Sequence, residues 1–149
     1  MADRTPRPTR DGDPVGATAT GPGRVLIAIY AIFALSATAR AGVQLATQFH
    51  QAPVAYLLSA FSGVVYILAT IGLARTGPAA RRLAWTAVLI ELVGVLVVGS
   101  LSVFDATAFP RATVWSGYGA GYGWVPLVLP LLGLFWLYRT GRTGRLKAR

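Results

Sequence analysis

Glu91 is the residue of this chain with the most chemistry open to it. It is the only charge in the apolar run Leu83 to Phe104, about nine residues in, or ~13 Å from the start of that run at 1.5 Å per residue. An ionised carboxylate is costly at such a depth in hydrocarbon. A Glu there faces a protein interior or a water cavity, where it carries a proton, balances a cationic substrate or pairs with a cationic side chain. The plainer alternative is a hydrogen-bonded Glu that fixes helix packing. Tyr66, in the run Val54 to Ala74, lies at a matching height, ~12 Å from the inner face, and its hydroxyl could donate to the carboxyl. Arg40 is the partner suggested by charge, yet counting from Val25 sets it ~9 Å nearer the outside than Glu91. A direct pair would need a helix tilt or a bridging water, and snorkelling to the outer interface competes with it. Ser36, Arg40, Gln44 and Gln48 recur every four residues and predict one polar stripe, which either lines a cavity or hydrogen-bonds between helices. Glu91, Tyr66, Arg40, Ser36 and Gln44 together form the candidate intramembrane polar site.

Other chemistry has little to stand on. There is no Cys, so disulfides and thiolate sites are excluded. His50 is the only His, and the five carboxylates are scattered, so no metal cluster is expected from one copy. His50 and Asp105 have no nucleophile or metal ligand beside them in the sequence. The expectation is a non-enzymatic protein with no cofactor.

The elements that must position these residues are legible in the distribution of apolar and charged residues. Hydrophobic residues make up 54% of the 149 and charged residues 13%, and the apolar ones gather into long runs. That pattern describes an all-α polytopic membrane protein, a four-transmembrane-helix bundle with a disordered N-terminal tail. Residues 1–23 are rich in Pro, Thr, Gly, Arg and Asp and read as that tail. The transmembrane domain covers 24–139, with helices predicted over 24–47, 54–74, 83–104 and 121–138, and 140–149 is a basic tail. Pro53 suits the first turn of the second helix, and Pro126 and Pro130 should kink the fourth or loosen its outer half.

Charge placement predicts the orientation. Arg4, Arg7, Arg10 and Arg24 precede the first helix; Arg75, Arg81 and Arg82 lie between the second and third; Arg139, Arg142, Arg145, Lys147 and Arg149 follow the fourth. Only Arg111 and Arg40 lie elsewhere, so both termini are expected in the cytoplasm of a cell bounded by a plasma (inner) membrane. Phe49, Tyr56, Phe109, Trp115, Tyr118, Tyr122 and Trp124 would mark the outer interface, and Trp85, Trp136 and Tyr138 the inner one. The basic face should attract anionic lipid headgroups. The net charge of +9 does not indicate nucleic acid, because the basic residues flank apolar runs instead of forming a polar domain with interleaved aromatics. An alternative for the first helix stays open: Arg24, the apolar core Val25 to Leu35 and Ala37-Thr38-Ala39 also fit a signal peptide cleaved after Ala39.

Ala55, Ser59 and Gly63 repeat a small-xxx-small spacing that suits either internal packing or a homodimer face. The segment Thr113 to Gly123, TVWSGYGAGYG, is similar to a potassium-channel filter in fragments only. Trp115 and Ser116 interrupt the Thr-Val-Gly order and no apolar pore helix precedes it, so a glycine-rich outer loop is expected.

With its arginine-rich tails and the stretches ELVGVLVVG and FPRATVWSGYGAGYGWVPLVLP, the chain resembles the small uncharacterised integral membrane proteins of actinobacteria, a resemblance covering nearly everything after Gly23. Thirteen of the fourteen basic residues being Arg, with abundant Ala, Gly and Val, fits a bacterial, GC-rich origin. The resemblance implies no activity. In helix count and a single embedded Glu the chain also looks like the small multidrug transporters, but their Glu belongs to the first helix and their charge bias is weak. The functional expectation is an accessory or interaction subunit of a membrane complex, or of a homo-oligomer. The alternative is a small transporter or lipid-handling protein that uses Glu91.

Overall fold

The computed structural model describes residues 21–105, 107 and 109–146, with side chains as far as 141. Most of the expected disordered tail, residues 1–20, lies outside the described residues, as do Lys147 and Arg149. The described residues form four α-helices and no strand: α1, Pro22–Thr47; α2, Pro53–Ala74; α3, Pro78–Phe104; and α4, Val125–Leu146. Each of the first three starts with a proline in its first turn, where the missing N–H costs nothing and the fixed φ suits a helix. α1 runs unbroken through Ala39 and Arg40.

The helices pack as a bundle in which α1 lies extensively on α2, α2 on α3 and α3 on α4, while α1 and α4 touch little. The buried faces follow helical periodicity: Leu26, Tyr30, Ala34, Ala37 and Ala41 on α1, and Ala84, Val88, Glu91, Val95 and Val98 on α3. Large apolar residues cover the outside, Leu35 at 74%, Val93 at 59% and Phe104 at 85% exposure, a surface that lipid would solvate and water would not. The small-residue motif of α2 is spent internally. Ser59 is buried and Gly63 lies against Thr38 of α1, where an added Cβ would meet the Thr38 hydroxyl at 2.9 Å.

Three helices, α1, α2 and α3, are each long and apolar enough to cross a bilayer, and a fourth crossing requires α4 joined to the segment before it. The apolar part of α4, Val125 to Tyr138, spans only ~21 Å, against ~30 Å of hydrocarbon. Gly133 packs on Val88, so the start of α4 lies level with about Leu96 of antiparallel α3, ~12 Å short of Phe104. A 3₁₀ segment, Ser116–Tyr122, bent by 100° from α4, occupies that outer layer. The expected helix 121–138 is therefore α-helical only from Val125, with Pro126 in its first turn and Pro130 inside it, and residues 121–124 are irregular. Gly117, Tyr118 and Gly119 all adopt left-handed backbone, and Gly119 faces Pro126 so closely that a Cβ would lie 2.6 Å from its ring. Tyr118 and Trp124 hold positive φ without being glycine, a conformation kept only where surrounding contacts over-determine it. Tyr118 is fixed by packing on Gly99 and by its hydroxyl, 3.0 Å from that of Ser100. Only Gly119 of this segment is buried, and the rest is part-buried or exposed.

Two further boundaries shift. α3 begins at Pro78, five residues before the expected 83, which puts Arg81 and Arg82 in its opening turns and leaves Arg75–Gly77 as the connection. Arg81 then reaches α4 and donates to the Leu137 carbonyl at 2.6 Å. α4 continues to Leu146, past the expected stop at 138, because nothing in TGRTGRL interrupts the backbone ladder.

Candidate intramembrane polar site

Glu91 sits about 13 residues past Pro78, in the middle of α3 and on its buried face, with no exposed surface. The Tyr30 hydroxyl of α1 donates to its Oε2 at 2.7 Å, while Oε1 has no hydrogen-bond partner. The donor is therefore Tyr30 and not Tyr66, whose height in the sequence also suits that role. Tyr66 is fully buried nearby, its ring 6.3 Å from that of Tyr30, but its hydroxyl accepts the indole N–H of Trp115 at 3.2 Å. The signal for Tyr30 was present. It lies about six residues above Arg24, ~9 Å, so the height count that selects Tyr66 selects Tyr30 as well.

Trp115 was expected at the outer interface and is instead 1% exposed in the core, as is Tyr56. Gly94 makes the room: a Cβ there would collide with the six-membered ring of Trp115. The looping segment after α3 thus sends one large side chain to the middle of the bundle, where its single donor meets Tyr66.

Arg40 does not meet Glu91. A ladder of rings separates them: Tyr30 to Tyr66, Tyr66 to Phe33 at 5.6 Å, and Phe33 to Tyr122 at 5.9 Å. Arg40 caps the outer end of this ladder. Its NH1 donates to the Tyr122 hydroxyl at 2.5 Å, its guanidinium lies 5.9 Å from that ring, and its NH2 donates to the Ala112 carbonyl at 3.4 Å. Outward reach has won over pairing, as the height difference and the lean of helical side chains favour. Arg111 adds a second tie, donating to Gln51 Oε1 at 3.1 Å.

The predicted polar stripe does not hold together. Residues four apart advance ~40° around a helix of 3.6 residues per turn, so Ser36 to Gln48 winds away from one face. Ser36 is exposed, Gln44 Oε1 is buried with no partner, and Gln48 is exposed and accepts from the Tyr56 hydroxyl at 3.3 Å. Of the five candidate residues, Glu91 and Tyr66 share a cluster; Arg40, Ser36 and Gln44 lie apart from it. No group of three or more potential metal ligands occurs among the described residues.

Arg40 should govern how firmly the outer segment closes. Replacing it by Met removes both hydrogen bonds, together on the order of 1 to 2 kcal/mol, so labelling of a single cysteine at the buried Val114 position by an impermeant maleimide should rise about five- to thirtyfold. The absence of native cysteine makes that readout unambiguous. Unchanged labelling would show that Arg40 does not hold the segment.

No family model matches the chain, and no curated protein and no solved structure shows significant similarity to it.

Proposed function

We propose that this protein crosses the bacterial plasma membrane four times with both termini in the cytoplasm, and that it acts without catalysis as an accessory or interaction subunit of a membrane complex. The observation that carries the reading is the state of Glu91. The one carboxyl within the apolar spans is sealed from solvent and bonded to Tyr30 across two helices, which is what a packing pin requires and a wet transport path does not. What remains to interact is the outside of the bundle. Between α2 and α3 runs an apolar groove of about 380 Å³ with Phe61, Val93 and Val97 in its walls and Gly94 and Trp115 at its floor. A groove floored by a small residue suits close approach by another membrane helix, from a larger complex or from a second copy.

A photo-crosslinker at Val93, compared with one at the outward-facing Leu35, tests this in intact membranes. The reading expects a single stoichiometric protein adduct from position 93 only, together with cytoplasmic reporters at both termini. A lone monomer at both positions would count against the subunit role, and reporters in opposite compartments would overturn the four-crossing topology.

One observation favours a second reading, a small transporter or lipid-handling protein: Glu91 Oε1 has no hydrogen-bond partner, leaving an acceptor for a proton or a polar cargo. Under that reading, Glu91→Gln abolishes proton-coupled flux in proteoliposomes, and unchanged flux removes Glu91 from any such mechanism.

A further inference from the structure

The weak contact between α1 and α4 leaves a cleft at the arginine-rich end of the bundle. At Gly133 the Tyr30 side chain bridges the two helices, its hydroxyl lying 3.1 Å from where a Cβ would sit. Nearer the start of α1 a space of about 270 Å³ lies between Leu26 and Ile29 on one side and Leu132, Phe135 and Trp136 on the other. Arg139 and Pro22, the first residue of α1, form the mouth.

The lining defines the occupant. A transmembrane helix, ~10 Å across, can only lie over the opening of this slot, whereas a single hydrocarbon chain can pack within it against the apolar walls. The mouth carries the opposite chemistry. The Arg139 guanidinium lies 5.6 Å over the Phe135 ring, directly beside the opening, and exposed Arg24 stands in the first turn of α1, a turn that has no side-chain cap. Trp136, in the wall, has its indole N–H buried without an acceptor among the described residues; were the ring to turn toward the mouth, an ester carbonyl or phosphate oxygen there would supply one. Cations, an open donor and a narrow apolar slot are arranged in the order of a lipid's phosphate, ester and chain.

We propose that this cleft seats one anionic phospholipid, its acyl chain between α1 and α4 and its headgroup phosphate against Arg139 and the first turn of α1. The proposal rests on the membrane-embedded reading above and adds to it a defined site, a stoichiometry of one and a headgroup class. A zwitterionic lipid would bring its own cation among the arginines, and a free phosphate would leave the slot unfilled.

Native mass spectrometry of the full chain in nonionic detergent, titrated with phosphatidylglycerol or with phosphatidylcholine of the same acyl chains, tests it. The expected result is one retained phosphatidylglycerol, held about tenfold more tightly than phosphatidylcholine, the scale of one charge-assisted contact. Arg139→Gln should erase most of that preference. Ile29→Trp, which fills the slot and leaves every charge in place, should cut retention about tenfold, while Leu57→Trp, on the outward face of α2, should not. Leu132→Trp fills the slot from α4 and serves if Ile29→Trp loses helix content by circular dichroism. Equal retention of the two lipids, or retention untouched by a folded slot-filling variant, overturns the proposal. Displacement of the lipid by glycerol phosphate alone would also overturn it, reassigning the mouth to a free anion. Alkaline extraction of membranes separates the two failures. A protein that stays in the pellet but shows no lipid preference loses only this site, and a protein that is extracted loses the membrane reading as a whole.

Discussion

Gly72→Ala should destabilise the bundle by about 1 to 3 kcal/mol, more than a single methyl group would suggest. A Cβ at Gly72 of α2 would lie 2.6 Å from the backbone nitrogen of Ala84 and 2.8 Å from its Cα. Both atoms belong to the backbone of α3, so no side chain can turn aside. The two helices must separate, and the loosened contact runs along the buried face that carries Leu73, Ala84 and Val88. Gly42→Ala provides the contrast, since nothing lies within 4 Å of a Cβ there. It should be neutral or stabilising by up to ~1 kcal/mol, the difference in helix propensity between the two residues. Reversible unfolding in mixed micelles, with the two variants measured side by side, checks both. Equal behaviour of the pair would mean that α2 and α3 do not cross at Gly72.

Tyr30→Phe should have the second large effect, because it removes the one hydrogen bond made to Glu91 and leaves both oxygens of a fully buried carboxyl without a partner. The expected loss is about 1 to 3 kcal/mol, the penalty for an unsatisfied buried polar group. Glu91→Gln keeps an oxygen for the Tyr30 hydroxyl and should cost less than ~1 kcal/mol. The double replacement Tyr30→Phe with Glu91→Leu removes both partners, so it should cost less than the sum of its singles by about 1 kcal/mol, within the coupling seen for hydrogen bonds between membrane helices. The same variants bear on function. If Glu91 is a packing pin, Glu91→Gln leaves crosslinking at Val93 intact. Additive losses in the cycle would show that the Tyr30–Glu91 bond does not tie α1 to α3.

The stretches that became α1, α2 and α3 were legible because each is a long apolar run closed by charge, and burying a helix in lipid needs little more than that. The C-terminal ends of all three were found to the residue, at Thr47, Ala74 and Phe104. The start of α3 was missed because Arg81 and Arg82 look like a loop by charge. Their long side chains let the backbone stay helical while one guanidinium reaches the Leu137 carbonyl of α4. Pro126 and Pro130 should weaken the fourth crossing, yet both lie inside regular α4, and the irregular part is the stretch before it. The left-handed turn there, over Gly117 to Gly119, depended on contacts with Gly99 and Pro126 that lie far off in sequence or across a chain reversal.

The candidate site was legible only in part. Glu91 stands out against an uncharged run, and counting residues fixes its height, but height does not say which neighbour turns toward it. Three tyrosines, at 30, 66 and 122, share the interior. Their hydroxyls are divided among Glu91, Trp115 and Arg40 by the azimuth of each helix and by the depth to which Trp115 descends over Gly94. The amino-acid order by itself determined the helices, their apolar surfaces and the placement of charge, since those follow from local periodicity and from transfer between water and hydrocarbon. Only the tertiary structure decided that Arg40 caps a loop instead of pairing with Glu91 and that Tyr30 supplies the carboxyl's hydrogen bond. Which rows of side chains meet is set by the rotation of whole helices about their axes, and the packing of small residues such as Gly63, Gly72 and Gly94 fixes that rotation.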